Sequence, residues 1–284
     1  AGVWAVSDDG NPVMNTALMR HSLEYAGSLG LLVIDHAEDK YLSEGGAMNE
    51  GETATRLGLR GIPSEAELIQ VRRDTALSRL TGQRIHIAHV SSKYSVESIR
   101  VARKRKIMVT ADVTPHHFTL TEEEVKSFDT NYKMNPPLRT EEDIKALVEG
   151  LNDGTIDCIA TDHAPHAYEE KMVEFDKAPN GIIGFQTAVP LAIEKLVLND
   201  QISLKRMVDA FSSAPARIIG LQNKGNLSVG SDADLTIFSL RKETLLKKED
   251  IKSLSKNSPF IGRKIKGAVM AVVIDGNLFR LREK

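Results

Sequence analysis

The chain has 284 residues, 41% hydrophobic and 27% charged, a composition that suits a globular protein with a substantial buried core. A net charge of -2 gives no electrostatic ground for a nucleic-acid or acidic-membrane partner. No apolar run reaches the roughly 20 residues that span a bilayer, the opening AGVWAVSDDG lacks the basic region of a signal peptide, and a single cysteine, Cys158, allows no internal disulfide, so a cytoplasmic setting is expected.

Taken in chain order, Gly2 to Val6 reads as a short apolar strand and Asn15 to Gly30 as a helix. Leu31 to Ile34 is a fully apolar strand. Ser64 to Leu80 reads as a helix whose Ser64 and Glu67 fit a capping box. Between these, Gly58, Arg60 and Gly61 read as a plain surface loop. Arg84 to Val90 is a strand, Ser95 to Lys106 a helix, and Ile107 to Val113 a strand. The basic run Arg103 to Lys106 therefore falls at a solvated helix end. Glu141 to Asn152 is a helix and Ile156 to Thr161 a strand holding Cys158, where burial outweighs reactivity. Two helices follow, near Phe185 to Leu198 and Leu204 to Ser212. From about Asn226, short strand-like runs broken by Gly and Asp indicate a small β unit, giving an expected division at 1–222 and 223–284. Strands alternating with helices imply parallel βαβ units. A closed barrel of such units needs eight strands, so the α/β part is either an open sheet or a barrel with three units upstream of Ala1.

Each expected strand ends in groups able to bind metal or move a proton. The segments are SDDG (Asp8, Asp9), DHAED (Asp35, His36, Glu38, Asp39), HIAHVSS (His86, His89), DVTPHH (Asp112, His116, His117) and TDHAPH (Asp162, His163, His166). In a parallel barrel these ends converge on one rim, and imidazole with carboxylate suits zinc or a similar divalent ion. An isolated strand-end histidine is usually structural; five successive ends carrying such groups favour a metal site. Seven of the eight histidines fall in these segments, and the eighth, His21, reads as structural.

Together with KMNPPLR (Lys133 to Arg139) and GIIGFQT, these segments resemble the amidohydrolase superfamily. The likeness is to its cyclic-amide hydrolases, and within them to the bacterial and archaeal dihydroorotase type. The resemblance runs over essentially the whole chain. It implies strands four to eight of a TIM-type (β/α)8 barrel with part of a small C-terminal β-sandwich unit. It also implies two Zn2+ ions, with Asp9 bridging them, His36 and His89 on the second, and Asp162 on the first and moving the proton. Asn135, His166, and the backbone at Asn180 and Gly181 would bind substrate, although the bare sequence NG also fits an ordinary turn. His163 would orient a ligand from behind, while His86 and Asp8 point away. Dihydropyrimidinases and hydantoinases of the group bridge with a carboxylated lysine; SDDG offers Asp9 instead.

The family's HxH pair and the arginine after it have no counterpart in the sequence, so a missing N-terminal segment of the same protein is expected to complete the first metal site. Expected activity is reversible hydrolysis of dihydroorotate to N-carbamoyl-L-aspartate in pyrimidine synthesis. The alternatives are an allantoinase or dihydropyrimidinase, or a non-catalytic partner of aspartate transcarbamoylase. A homo-oligomer is expected.

Overall fold

A computed structural model describes residues 2–280. Strand β1 (Ala5–Ser7) leads to helix α1 (Thr16–Ser28), capped by the Asn15 side chain, which accepts from Leu18 N at 3.0 Å. Met19, Leu23 and Ala26 recur at helical spacing and are the face α1 buries. β2 (Leu32–Asp35) follows, then α2 (Lys40–Ser43), β3 (Met48–Asn49), α3 (Glu52–Leu57), β4 (Gly61–Ile62) and α4 (Ser64–Thr81). The remaining barrel-like units are β5 (Ile85–Ile87), α5 (Lys93–Lys104), β6 (Val109–Val113), α6 (Glu141–Asp153) and β7 (Cys158–Ile159). Parallel pairing in the order β1-β2-β5-β6-β7 makes one five-stranded sheet. Its strands align so that Ile34 lies beside His86 and Asp35 beside Ile87, which brings their C-terminal ends to one rim.

Beyond β7 come α7 (Tyr168–Lys171), α8 (Ala188–Ala192), α9 (Leu204–Val208) and α10 (Ala214–Ile219). β8 (Leu235–Leu245), β9 (Lys264–Ile274) and β10 (Asn277–Arg280) then form an antiparallel sheet. One apolar core joins α1, the parallel strands, α5, α6 and the 246–265 stretch through Leu246, Ile251, Phe260 and Ile265. Cys158 in β7 is buried, and burial raises its thiol pKa far above the usual range. No helix of the described residues is long and apolar enough to cross a membrane.

Four expectations need correction. Pro63, not Ser64, caps α4, and no side chain completes a box there. Glu67 is instead buried and accepts from Ser91 N and Ser92 N, each at 3.1 Å, because the loop after β5 presents it with two otherwise orphaned amides. The true capping box is Thr140 with Asp143, at the start of α6. The 44–62 stretch is not featureless: Met48 pairs with Gly61 and Asn49 with Ile62. Arg139 holds this pair to the rim, donating to Asn49 Oδ1 at 2.7 Å and to Ser91 Oγ at 2.8 Å. Finally, the helix expected from Phe185 begins at Ala188, and π-helical turns (Ile193–Val197, Asp209–Ser213) interrupt both late helices.

Asp35 and Asp74 are wholly buried, with Arg73 between them. Its Nε is 2.7 Å from Asp74, and its Nη2 is 3.5 Å from Asp35. Burial first, then the neighbouring Asp74 and Asp8 charges, push the Asp35 pKa up. An acid whose folded pKa is raised stabilises most below its unfolded pKa of about 3.9 and loses that contribution as pH rises toward the folded value. Asp35→Asn is therefore expected to flatten the decline of stability above about pH 4. That decline amounts to at most about 1.4 kcal/mol per pH unit for one proton. Denaturant midpoints of both proteins at pH 5, 7 and 9 read this out; parallel declines would refute it.

Candidate metal centre

The rim of the parallel sheet gathers three ligands from three strand ends. His36 Nδ1 lies 2.9 Å from His89 Nε2 and 3.2 Å from Asp9 Oδ1, and His89 Nε2 lies 3.4 Å from Asp9 Oδ1. Ligand atoms at about 2.0–2.1 Å from a tetrahedral zinc stand about 3.3 Å apart, so the triangle has the dimensions of a coordination shell. The chemistry fits as well. Two imidazole nitrogens and a carboxylate oxygen face one another, and His89 Nδ1 is buried without a partner among the described residues.

The surrounding groups orient this triangle. Asp8 does not enter it; its carboxylate accepts from His36 N at 3.0 Å and from Val13 N at 2.8 Å, shaping the β1 and β2 ends. Glu38 Oε2 backs His36 Nε2 at 3.2 Å, the arrangement that fixes an imidazole's orientation in metal sites. Asp112 accepts from His89 N at 2.9 Å and from His86 Nε2 at 2.8 Å, so His86 serves behind the site. His89 sits at φ 36°, a left-handed conformation costly for a non-glycine residue, which the Asp112 bond helps to hold.

Electrostatics follow from the packing. Burial alone would lower the His36 pKa, but hydrogen bonds to Asp9 and Glu38 outweigh it and raise it to about 9. The His36 and His89 bonds hold Asp9 well below the carboxylate range. For Glu38, the bonds from His36 and Ser43 overcome the upward push of burial.

Asp162 stands apart from the triangle. Its Oδ2 is 4.0 Å from His116 Nε2, itself buried and without a hydrogen-bond partner among the described residues. Burial, chiefly, raises the Asp162 pKa and lowers that of His116. His117 is structural, held between Thr114 Oγ1 and Pro136 O. Asn135 Nδ2 lies 3.3 Å from His36 Nε2, within reach of the centre. His166 Nε2 donates to Asn180 O at 2.7 Å, which leaves that pair and Gly181 as one unit on the neighbouring loop. His163 stacks on Phe185, ring centroids 3.9 Å apart, and accepts from Gly184 N.

Sequence reading missed Asn257. Buried, it accepts from His166 N at 3.1 Å and donates to Ala164 O and Gly181 O, joining the segments that carry His166 and Gly181. It lies 91 positions beyond His166, and a lone Asn in SKNSPF gives no local signal.

A Cβ at Gly181 (φ 154°) would lie 2.7 Å from His166 Cδ2 and 2.8 Å from Ala164 O. Gly181→Ala is thus expected to destabilise by about 1–3 kcal/mol and to displace His166. Thermal unfolding and substrate KM would both register it; a variant matching the parent in both would refute the close approach.

The profile described as "Amidohydrolase family" matches residues 1–279. The chain belongs to the amidohydrolase family. It is 52% identical to a dihydroorotase of Endomicrobium trichonymphae over 278 residues, covering 98% of this chain and 66% of that protein. With the dihydroorotase of Acetivibrio thermocellus it shares 50% over 284 residues, covering 100% and 66%. This amidohydrolase chain thus spans just under two thirds of the length of those curated relatives. Among solved structures, the L-hydantoinase (dihydropyrimidinase) of Arthrobacter aurescens superposes with a TM-score of 0.85 at 28% identity, covering 99% of this chain and 65% of that one. The dihydropyrimidinase of Brevibacillus agri gives 0.82 at 26% identity, covering 96% and 62%.

Proposed function

We propose that this chain carries the catalytic rim of a dihydroorotase, which opens the cyclic amide of dihydroorotate to N-carbamoyl-L-aspartate and closes it again in pyrimidine biosynthesis. The observation that carries the reading is Asp9: a carboxylate completes the triangle with His36 and His89, at the place where the lysine-bridged relatives differ. Identity of about half to dihydroorotases, against 26–28% to the hydantoinase-type structures, agrees with it.

In this reading the five parallel strands are the last five of a (β/α)8 barrel. Residues 223–284, of which 281–284 lie outside the described residues, belong to a small sandwich unit, and the setting is the cytoplasm. Asp9, His36 and His89 would hold zinc, with Asp162 adjoining. The ion supplies Lewis acidity toward the amide carbonyl and acidifies water to near neutral pH. Asp162, its pKa raised by burial, takes the proton from the attacking water. As the C–N bond breaks, it returns that proton to the departing ring nitrogen. Asn135 and His166 hold the substrate, and the backbone at Asn180 and Gly181 lines its edge.

Parallel assays of the full-length protein that contains this chain, on dihydroorotate, allantoin and dihydrouracil, with elemental analysis, test this. Turnover of dihydroorotate alone with bound zinc is expected. Turnover of dihydrouracil or allantoin in preference, or a metal-free inactive protein, would overturn it.

A further inference from the structure

Two lysines that the site description leaves unused are among the most buried charged groups of the chain: Lys133 is 5% exposed and Lys171 6%. Ammonium groups seldom go inside without a carboxylate partner. Here the acceptors are main-chain carbonyls. Lys133 Nζ donates to Asp176 O at 2.9 Å and Ala178 O at 2.7 Å. Lys171 Nζ donates to Pro179 O at 2.7 Å and Thr130 O at 3.0 Å. Asp176 and Asp129 act on them only through space, and burial lowers the pKa of both lysines. Methionine would fill the same volume without that cost. What it would not do is satisfy inward-turned carbonyls in a segment that lacks regular secondary structure.

Three of the four carbonyls so held are at 176, 178 and 179, immediately before Asn180 and Gly181. The lysine backbones are tied into the same assembly: Gly181 N donates to Lys133 O at 2.9 Å, and Thr130 Oγ1 donates to Lys171 O at 2.6 Å. Lys133 also lies two positions before Asn135, and its Nζ sits 5.9 Å from the ring centroid of buried Phe175. The ammoniums thus connect the strand of chain bearing Asn135 to the loop bearing Asn180 and Gly181.

We propose that Lys133 and Lys171 are a pair of positioning residues, a double ammonium clamp on residues 176–179 that fixes Asn180 and Gly181 against the rim. The proposal rests on the reading of that rim as a substrate site. Neither lysine touches the reacting atoms; they set where the loop backbone stands. Released, those carbonyls would turn to water, and the Asn180 carbonyl would leave His166. Substrate binding would weaken while the metal triangle stayed intact.

The test compares Lys171→Met and Lys133→Met with the unsubstituted metal-loaded protein. Amide exchange at 176–181 is expected to accelerate at least about tenfold, with that of α1 and the metal content unchanged. KM for dihydroorotate rises about tenfold while kcat stays within about threefold, the split that separates lost positioning from lost chemistry. Wild-type exchange at 176–181 together with wild-type KM in both variants would overturn the clamp. If the variants do not fold, the unsubstituted protein decides. Lys133 and Lys171 should resist an amine-acylating reagent that modifies exposed Lys177, and 176–181 should be protected from exchange. Rapid labelling of both lysines or an unprotected loop would refute the proposal. Inactivity on dihydroorotate with protected lysines and loop would sink the substrate assignment and leave the clamp in place.

Discussion

Replacing His89 with alanine is expected to abolish hydrolysis, by on the order of 10³-fold or more, and to strip divalent metal from the protein. The reason lies in how little slack the triangle has. His89 Nε2 meets both His36 Nδ1 at 2.9 Å and Asp9 Oδ1 at 3.4 Å. Without it, two groups remain, and they pair with each other: Asp9 stands 3.2 Å from a His36 whose pKa is already raised to about 9. Protonated His36 and ionised Asp9 form an ion pair that competes with a cation for the same lone pairs. His86→Ala is the matched control. His86 lies three residues earlier and is buried beside the same Asp112, yet it contacts Asp112 and Thr110 rather than the triangle. Its loss frees Asp112 to shift and should cost about 10–100-fold, with metal retained in large part. Elemental analysis beside kcat for both variants gives the answer. A His89→Ala protein that binds metal as tightly as its parent would remove the triangle from the chemistry.

That contrast also shows what was legible in the sequence. His86 and His89 look alike on paper. What separates them is strand geometry: His86 lies in β5, whereas His89 lies past its end at φ 36°, turned over the rim. The parallel sheet was readable because buried strands such as LLVI and DCIAT are continuous apolar runs, and α1, α5 and α6 because their apolar spacing is local. Strands of two residues such as β3 and β4 are too short to show a periodic pattern; they are held because Arg139, 90 positions from Asn49, reaches back to them. Glu67 misled for a related reason. Its spacing from Ser64 fits a local cap, but two amides 24 and 25 residues away offered a buried carboxylate better partners. The same holds for Asn257, Lys133 and Lys171, whose roles depend on carbonyls brought near only by the fold. Local pattern carries the elements and the ligand types; the groups that orient them answer to distant backbone.

Asp162→Asn is the second large effect: kcat is expected to fall about 10²- to 10⁴-fold, the range over which a positioned proton carrier contributes, while metal at the Asp9–His36–His89 triangle is retained. Asp162 follows β7 at φ 43°, a strained position for a non-glycine residue, and His116 Nε2 stands 4.0 Å from its Oδ2. Its oxygens do not belong to the close group of three, so an amide there leaves that group's donors in place. Burial raises the Asp162 pKa. The sign then fixes the pH behaviour. In the proposed mechanism the ionised carboxylate accepts the proton, so the parent's kcat should climb with pH through this raised pKa and level off above it. Asn cannot ionise, so the variant should lose that ascending limb and keep a flat, low rate. Equal loss of metal and rate in Asp162→Asn would recast Asp162 as a ligand first. An ascending limb that survives the substitution would assign the proton to another group, and His116, buried, with Nε2 4.0 Å away and without a hydrogen-bond partner among the described residues, is then the residue to substitute next.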